Sequence, residues 1–418
     1  MTITIPNRDN YLAKLLTTVS NSATADWLVA LRKQSAAFLQ EETIPSTKDE
    51  EWRFTSLKGL LAQDFVLPSG KASTDLLPVS GRLVFVDGIY APQISQPPQS
   101  AGLFVGDLNA AIEQQPTITE YLGKQPGGEE IFTALNTSGF SDAAVIWVEG
   151  EIAEPIHLLF VGTGASSVNQ PRVLVVAAKN SQSTIIEEYV SSNGIQFTNA
   201  VTEISVAPNA CVHHIRLQEE SPEAFHIGKT AISQAEDSQY HGYAVSLGSK
   251  LARHHWEVYQ TGKQTDTTLN GLDLIAGEQV ADTHSKIALN HPHGRTNQLH
   301  KSVVADKAHV IFSGKVLVPQ GAQQTNAAQL SRTLLLSPKA RVDTKPQLEI
   351  TADDVKCSHG ATVSQLSDDE LFYLQSRGLD PEVSRTLLVN AFAIEVIKNL
   401  PVPEIRDRLI LAVQNFQS

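Results

Sequence analysis

From about residue 142 to 364 the chain is a succession of short apolar runs separated by polar, turn-forming residues. AAVIWV, HLLFVG, RVLVVAA, STIIEEYV, CVHHIRL, RHHWEVYQ, TLNGLDLI, KVLVPQG and RTLLLS follow one another at roughly 14- to 16-residue intervals, with Gly, Asn, Asp or Pro between them. Runs of this length and composition read as strands. A fixed step with no long helix between strands predicts a stacked, repeating architecture. The parallel β-helix fits this pattern best, because a rung buries its face only when the next rung stacks on it. A sandwich or jelly roll also strings many short strands together, and spacing does not decide strand order.

The flanks carry a different period. Leu12, Leu15 and Leu16, then Trp27, Leu28 and Leu31, recur at helical spacing, so residues 8 to about 66 read as amphipathic helix. Pro45 and Ser46 ahead of an acidic stretch predict a helix start within IPSTKDEEWRFTSL, with Trp52 and Phe54 as anchors to the body. A Pro/Gly/Ser-rich connector from about 67 to 103 holds one strand-like piece, RLVFVDGIY. After 366 the helical period returns. Ser367 caps DDELFYLQSR, which Gly378 stops; Asp380 and Pro381 open DPEVSRTLLVNAFAIEVIKNL. Its apolar face is Leu387, Leu388, Ala391, Ile394 and Ile397, and Pro401 and Pro403 precede a last helix. These helices would either cap an open β-helix end or present a docking surface. The expected division is 1–103 (helical region and connector), 104–364 (β-helix core) and 365–418 (C-terminal helical region).

Composition narrows the function classes. The 418 residues are 41% hydrophobic and 18% charged, enough for a large core. A net charge of −13 argues against a nucleic-acid partner. The start, MTITIPNRDNYLAK, lacks a secretory pattern, and no apolar run reaches the roughly 18 residues a spanning helix needs, so no membrane role is expected. Two cysteines make no disulfide framework and suit a reducing, cytoplasmic location.

Few motifs carry chemistry. There is no Walker A loop, dinucleotide fingerprint or GxSxG elbow, so an ATP-driven process would need another polypeptide. Glu154/His157 and Glu223/His226 have E-x-x-H spacing, but Pro155 and Pro222 deny them the helix that a di-iron pair requires. His291 and His293 in HPHG read as a turn. Histidines concentrate between His213 and His309, where stacked rungs could form a ladder, and adjacent His254 and His255 must face opposite sides. Each cysteine heads a C-x-H triplet: Cys211 with His213, and Cys357 with His359. Residues at i and i+2 share a strand face. Cys357 and His359 share theirs with Val355, Ala361 and Val363, so this face is either internal or covered by a partner. Two ligands do not close a metal site, and another chain would have to supply the rest.

FSGKVLV (312–318), AQQTNAAQLSRTLLLS (322–337), KPQLEITADDVKCSHGATV (345–363) and FYLQSRGL (372–379) resemble the SufB/SufD family, scaffold subunits of the SUF iron–sulfur cluster assembly machinery. DEEWRFTSL (49–57) resembles the family's N-terminal helical motif, and KCSHGAT is similar to the SufD branch. The resemblance implies a right-handed parallel β-helix with terminal helical regions. It implies pairing with SufB through β-helix strands and docking of the ATPase SufC on the C-terminal helical region. ATP would then act only through SufC, and the chain itself would be non-catalytic. His359 resembles the histidine that the SufD branch contributes to a transient iron–sulfur cluster as an iron ligand, and Cys357 its neighbouring thiol. Cys211 and His213 match no family motif. An exposed edge would also let the isolated chain form homodimers. The rival readings are a β-helix enzyme acting on polysaccharide, and a purely structural module in which Cys357 and His359 are inert.

Overall fold

The computed structural model describes residues 8–17, 25–66, 79–128, 130–164, 166–192 and 194–416. Two parallel sheets wind into a β-solenoid of about eight turns, so the fold is mainly β with helices at both termini. Ile156–Gly162, Gln182–Ser191, Cys211–Glu219, Gln239–Ser246, Asp266–Ile275, Arg295–Val304, Asn326–Leu335 and Lys356–Gln365 stack into the first sheet. Ala144–Val148, Arg172–Ala177, Phe197–Val206, Phe225–Gln234, Leu251–Gln260, Val280–Ala288, His309–Val318 and Arg341–Ile350 form the second. The chain alternates between them. The predicted 14- to 16-residue step is therefore one strand, and a full turn holds two. All ladders between these strands are parallel, which excludes the sandwich and jelly roll.

Register fixes the side chains into columns. Gln182 pairs with Cys211, then Gln239, Asp266, Arg295, Asn326 and Lys356 follow, at steps of 29, 28, 27, 29, 31 and 30 residues. Two residues before the first six of these strands the chain turns a corner through a left-handed residue: Asn180, Asn209, Asp237, Gln264, His293 and Gln324 all have φ between 57° and 63°. Asn and Asp tolerate this region better than most residues. The corners stack as well, each N–H donating to the carbonyl of the next corner, as from Asn209 to Glu236 and from Gln264 to Pro292.

Alternation sends every second side chain into the solenoid. Phe85, Phe160 and Tyr189 stack in one column, with ring centroids 5.3 and 5.0 Å apart. Ile204, Ile232, Val258, Ile287 and Val316 fill another. Charged groups also enter, and they pair. Glu187 lies 3.1 Å from His214 and accepts from the Tyr189 hydroxyl at 2.9 Å. Arg216 donates to Nε2 of His226 (2.5 Å), so Nδ1 carries the proton donated to Glu220 at 2.6 Å. His300 donates to Asp273 at 2.7 Å.

The outward faces are covered selectively. Over the second sheet, Leu12, Leu15, Leu39 and Leu60 from the helices within residues 8–61 pack on Phe197, Phe225 and Leu251. The arm differs from the expected continuous helix. Ser46 bonds Asp49 through both backbone N–H (2.6 Å) and hydroxyl (3.1 Å), and this local turn leaves only a 3₁₀ turn at Glu50–Trp52. Trp52 is buried under the Arg253 guanidinium, 3.9 Å from the ring centroid, whereas Phe54 is 39% exposed beside the Arg53 guanidinium. Residues 67–78 of the connector lie outside the described residues; its strand-like piece forms Arg82–Val86, which joins the first sheet.

Over the first sheet lie Pro381–Ile397 and Pro403–Gln414, whose Val389, Ala393, Val396 and Leu409 pack on Ile215, Leu217, Val245 and Leu272. The expected caps hold: the Ser367 and Asp380 side chains accept from Glu370 N and Glu382 N, and Gly378 has φ 88°. The expected apolar face is shifted, because Leu387 and Ile394 are exposed while Val389 and Ala393 make the contact. None of these helices caps the solenoid. Its first turns are closed instead by antiparallel pieces, Ile89–Tyr90 and Ser95–Gln96 against Arg82–Val86, and Leu103–Gly106 against Ala144–Val148. At the other end, Lys356–Gln365 and Arg341–Ile350 each have one pairing neighbour among the described residues.

Burial lowers the proton affinity of His226, His254 and His255, so these rings stay neutral in the folded chain. The unfolded chain binds their protons as pH falls below about 6.5, and stability must then drop. Asp142, pushed up to about 6 by burial, takes up a proton in the folded chain over the same interval and offsets part of this, but as one group against three. The thermal midpoint is expected to fall from pH 7 to 6; melts recorded across that interval that show no decrease would contradict this account.

Candidate functional site

The open end of the solenoid is where Cys357 and His359 lie. On Lys356–Gln365, Cys357 continues the inward column of Val212, Tyr240, Thr267, Thr296 and Ala327. His359 continues the column of His214, Gly242, Leu269, Gln298 and Gln329 in the same register. Every member of both columns from Val212 and His214 to Ala327 and Gln329 is buried. On the last rung the same columns meet solvent: His359, Ala361 and Val363 are exposed, Val363 by 48%, and Cys357 is half-buried against the core. The apolar company of the pair is therefore an interior face with no rung above it.

The chemistry of this face is incomplete by itself. Burial pushes the Cys357 thiol up, partly offset by a hydrogen bond with the Ala327 backbone, so it rests as a thiol at neutral pH. One strand below His359, Gln329 donates to Gln298 at 2.9 Å, and its own buried Oε1 has no partner. An imidazole and a thiol thus share one exposed edge, with the buried Gln329 amide one strand below. They can contribute to binding a borderline or soft metal centre, but not enclose one.

The other candidates separate. His157 lies 2.7 Å from Glu188, far from partnering the exposed Glu154. His226 pairs with Glu220 while Glu223 is exposed, so neither E-x-x-H string forms a site. His291 and His293 sit in the corner turn. His254 points inward against Trp256 and His255 outward, 3.6 Å from Glu257. Most of the central histidines are thus interior or surface pairing groups rather than a ladder.

Two arrangements escaped sequence reading. Cys211 and His213 acquire a third neighbour in His241, one rung away, with ligand atoms of the three within 4.8 Å of one another. Burial and the adjacent His241 lower His213 to about 4, and burial together with Asp266 raises the Cys211 thiol. The 28-residue separation of His213 and His241 equals the local turn length, and that was the available signal. The second is a cleft of about 500 Å³ between the arm and the second sheet, where Lys229, His255, Glu257, His284, Lys286 and Lys315 meet Glu51 and Trp52. Here neighbouring rungs bring charged groups together. The groups are partly neutralised by one another, as in Lys229–Glu257 at 3.4 Å.

Comparison with known proteins places the chain. The model described as "SUF system FeS cluster assembly, SufBD core domain" matches residues 160–392, and the SufBD N-terminal region model matches 11–158. An iron–sulfur cluster assembly SufBD family protein of Synechocystis is 46% identical over 93% of this chain and 91% of its own length. The chloroplastic protein ABCI7 of Arabidopsis thaliana is 38% identical over 91% of this chain and 84% of its own. The iron–sulfur cluster assembly protein SufD of Escherichia coli is 33% identical, covering 88% of both. The core match spans more than half of the chain, including the open rung and both C-x-H triplets, and the chain belongs to the SufBD family of the SUF iron–sulfur cluster assembly system.

Proposed function

We propose that this chain is a non-catalytic scaffold subunit that pairs with SufB edge to edge at the open rung and there contributes His359, with Cys357 beside it, to a cluster under assembly. The supporting observation is that inward-facing columns end exposed on Lys356–Gln365 and half-buried on Arg341–Ile350, two parallel strands that each have a neighbour on one side only. A second solenoid stacking on Lys356–Gln365 and Arg341–Ile350 would satisfy their free backbone groups. It would also bring its own side chains over His359 and Cys357, supplying the missing ligands. The cluster is cargo in this reading, with His359 as a neutral imidazole ligand to iron and Cys357 as a nearby thiol that loses its proton on metal binding. A reducing cytoplasmic compartment suits both free thiols.

The energy source would be SufC, docked on the C-terminal helices. Pro381–Ile397 shows apolar residues on two faces: Val389, Ala393 and Val396 meet the sheet, while Val383, Leu387 and Ile394 stay exposed. Asp368–Ser376 has no buried residue and exposes Phe372 by 73% and Tyr373 by 58%. An exposed apolar stripe of this kind marks an interaction surface, and movement of an ATPase bound there would reach the first sheet through Lys301, which donates to the Phe392 carbonyl at 2.8 Å.

His359→Ala is expected to change stability by less than about 0.5 kcal/mol, because the ring is exposed. It should nevertheless reduce iron and sulfide in the complex co-purified with SufB and SufC to background; normal cluster yield would sink the assignment. Ala361→Asp with Val363→Asp places charges on the docking face without touching the buried core, and is expected to weaken SufB binding at least tenfold in sedimentation or calorimetric titration. Unchanged binding would remove edge pairing from the model. Leu387→Asp with Ile394→Asp should release SufC while SufB stays bound, and retention of both partners would contradict the helix docking site.

A further inference from the structure

Away from the terminal rung, three side chains of metal-ligating type meet on the outer face of the first sheet. Cys211 and His213 occupy alternate positions of one strand and project on the same side. His241 lies directly beside His213 in the parallel register of the next strand, and the two rings stack at 4.7 Å with planes 22° apart. We propose that Cys211, His213 and His241 form a three-ligand site for a divalent transition-metal ion of borderline softness, with one coordination position left open to solvent or a second ligand.

The donor set selects the ion. One sulfur and two imidazoles suit Zn²⁺, Fe²⁺ or Co²⁺ and discriminate against Mg²⁺ and Ca²⁺, which take oxygen ligands. Three protein ligands with a free fourth position is the pattern of sites that exchange a water or substrate; purely structural zinc sites are closed by four. Tetrahedral bonds of about 2.0–2.3 Å put donor atoms about 3.5 Å apart. The present spacing, within 4.8 Å, needs a contraction of about 1 Å, which side-chain torsions can supply.

Ring stacking alone accounts for the two histidines but leaves the hydrogen-bonding ledger open. Nδ1 of His213 is buried and has no partner. Stacking satisfies no lone pair, whereas coordination does. Around the triad the sheet is polar: Gln182 and Gln239 flank Cys211 in its column, and Asp266 follows, 3.7 Å from Arg295. Asp266 stands as the nearest carboxylate to balance a bound cation. Binding converts the Cys211 thiol to a metal-bound thiolate and releases one proton to solvent. Five strand spacings separate this strand from Lys356–Gln365, about 24 Å. No single ion can bridge the two C-x-H triplets.

The test uses the full, metal-free chain titrated with Co²⁺. A thiolate-to-cobalt charge-transfer band and tetrahedral d–d bands are expected, saturating at one ion per chain and displaced by Zn²⁺. Cys211→Ser should abolish the charge-transfer band, and His213→Gln or His241→Gln should weaken binding at least tenfold, with circular dichroism confirming the fold. Cys357→Ser with His359→Ala should leave the band intact. Absence of the band in the parent chain, its survival in Cys211→Ser, or its loss in the Cys357/His359 variant would each overturn the proposal. Because the readout needs neither SufB nor SufC, failure of the terminal-rung function and failure of this site are separately visible.

Discussion

Parallel strands stacked in register impose the constraint on which the rest of this molecule depends. Each rung is a template for the next: its backbone groups are satisfied only by neighbours above and below, and its interior face is dry only when covered. The corner residues follow the same rule, handing one N–H from turn to turn along the stack. Such an arrangement has no internal reason to stop. The beginning of the solenoid is closed by antiparallel pieces that break the repeat, and the end is not. The exposure of His359 and the partial exposure of Cys357 follow from that asymmetry rather than from any local irregularity of the last strand.

The charged groups inside the solenoid are a second expression of register. Buried ion pairs are weak sources of net stability, since desolvation offsets most of the attraction. Arg216, His226 and Glu220 come from two strands and the loop between them, and Glu187 and His214 from adjacent rungs. A slip of one residue would turn each of these side chains to the opposite face and leave partners buried alone. The pairs therefore penalise misregistered stacks more strongly than they stabilise the correct one. Long parallel ladders of similar strands have particular need of such a device, because their apolar columns look alike at several offsets.

Much of this was legible in sequence. Short β-rich runs at a fixed step predicted stacking, and the helix caps at Ser367 and Asp380 were visible as residue types in the right order. The strand periodicity placed Cys357 and His359 on one face, and their apolar neighbours marked that face as interior or covered. What could not be read was how many steps make a turn. With the step taken as one rung, His241 had no reason to be placed beside His213, and Lys229 none to be placed near Glu257 and Lys286. Helical periodicity likewise identified an apolar helix at 381–397 but not which of its two apolar stripes meets the sheet. Phe54 and Trp52 have equal claims as anchors in sequence; only the position of Arg253 on the second sheet distinguishes them.

The column that holds Leu269, Gln298, Gln329 and His359 runs from the middle of the core to open solvent without a change in geometry. Core and recognition surface are thus one continuous set of positions, graded only by distance from the end. A substitution in this column acts on folding when it falls among the lower rungs and on partnership when it falls on the last. Between them, at Gln329, it acts on both. Selection for a tighter partner and selection for a firmer core therefore draw on the same residues, and the length of the stack decides which demand a given position meets.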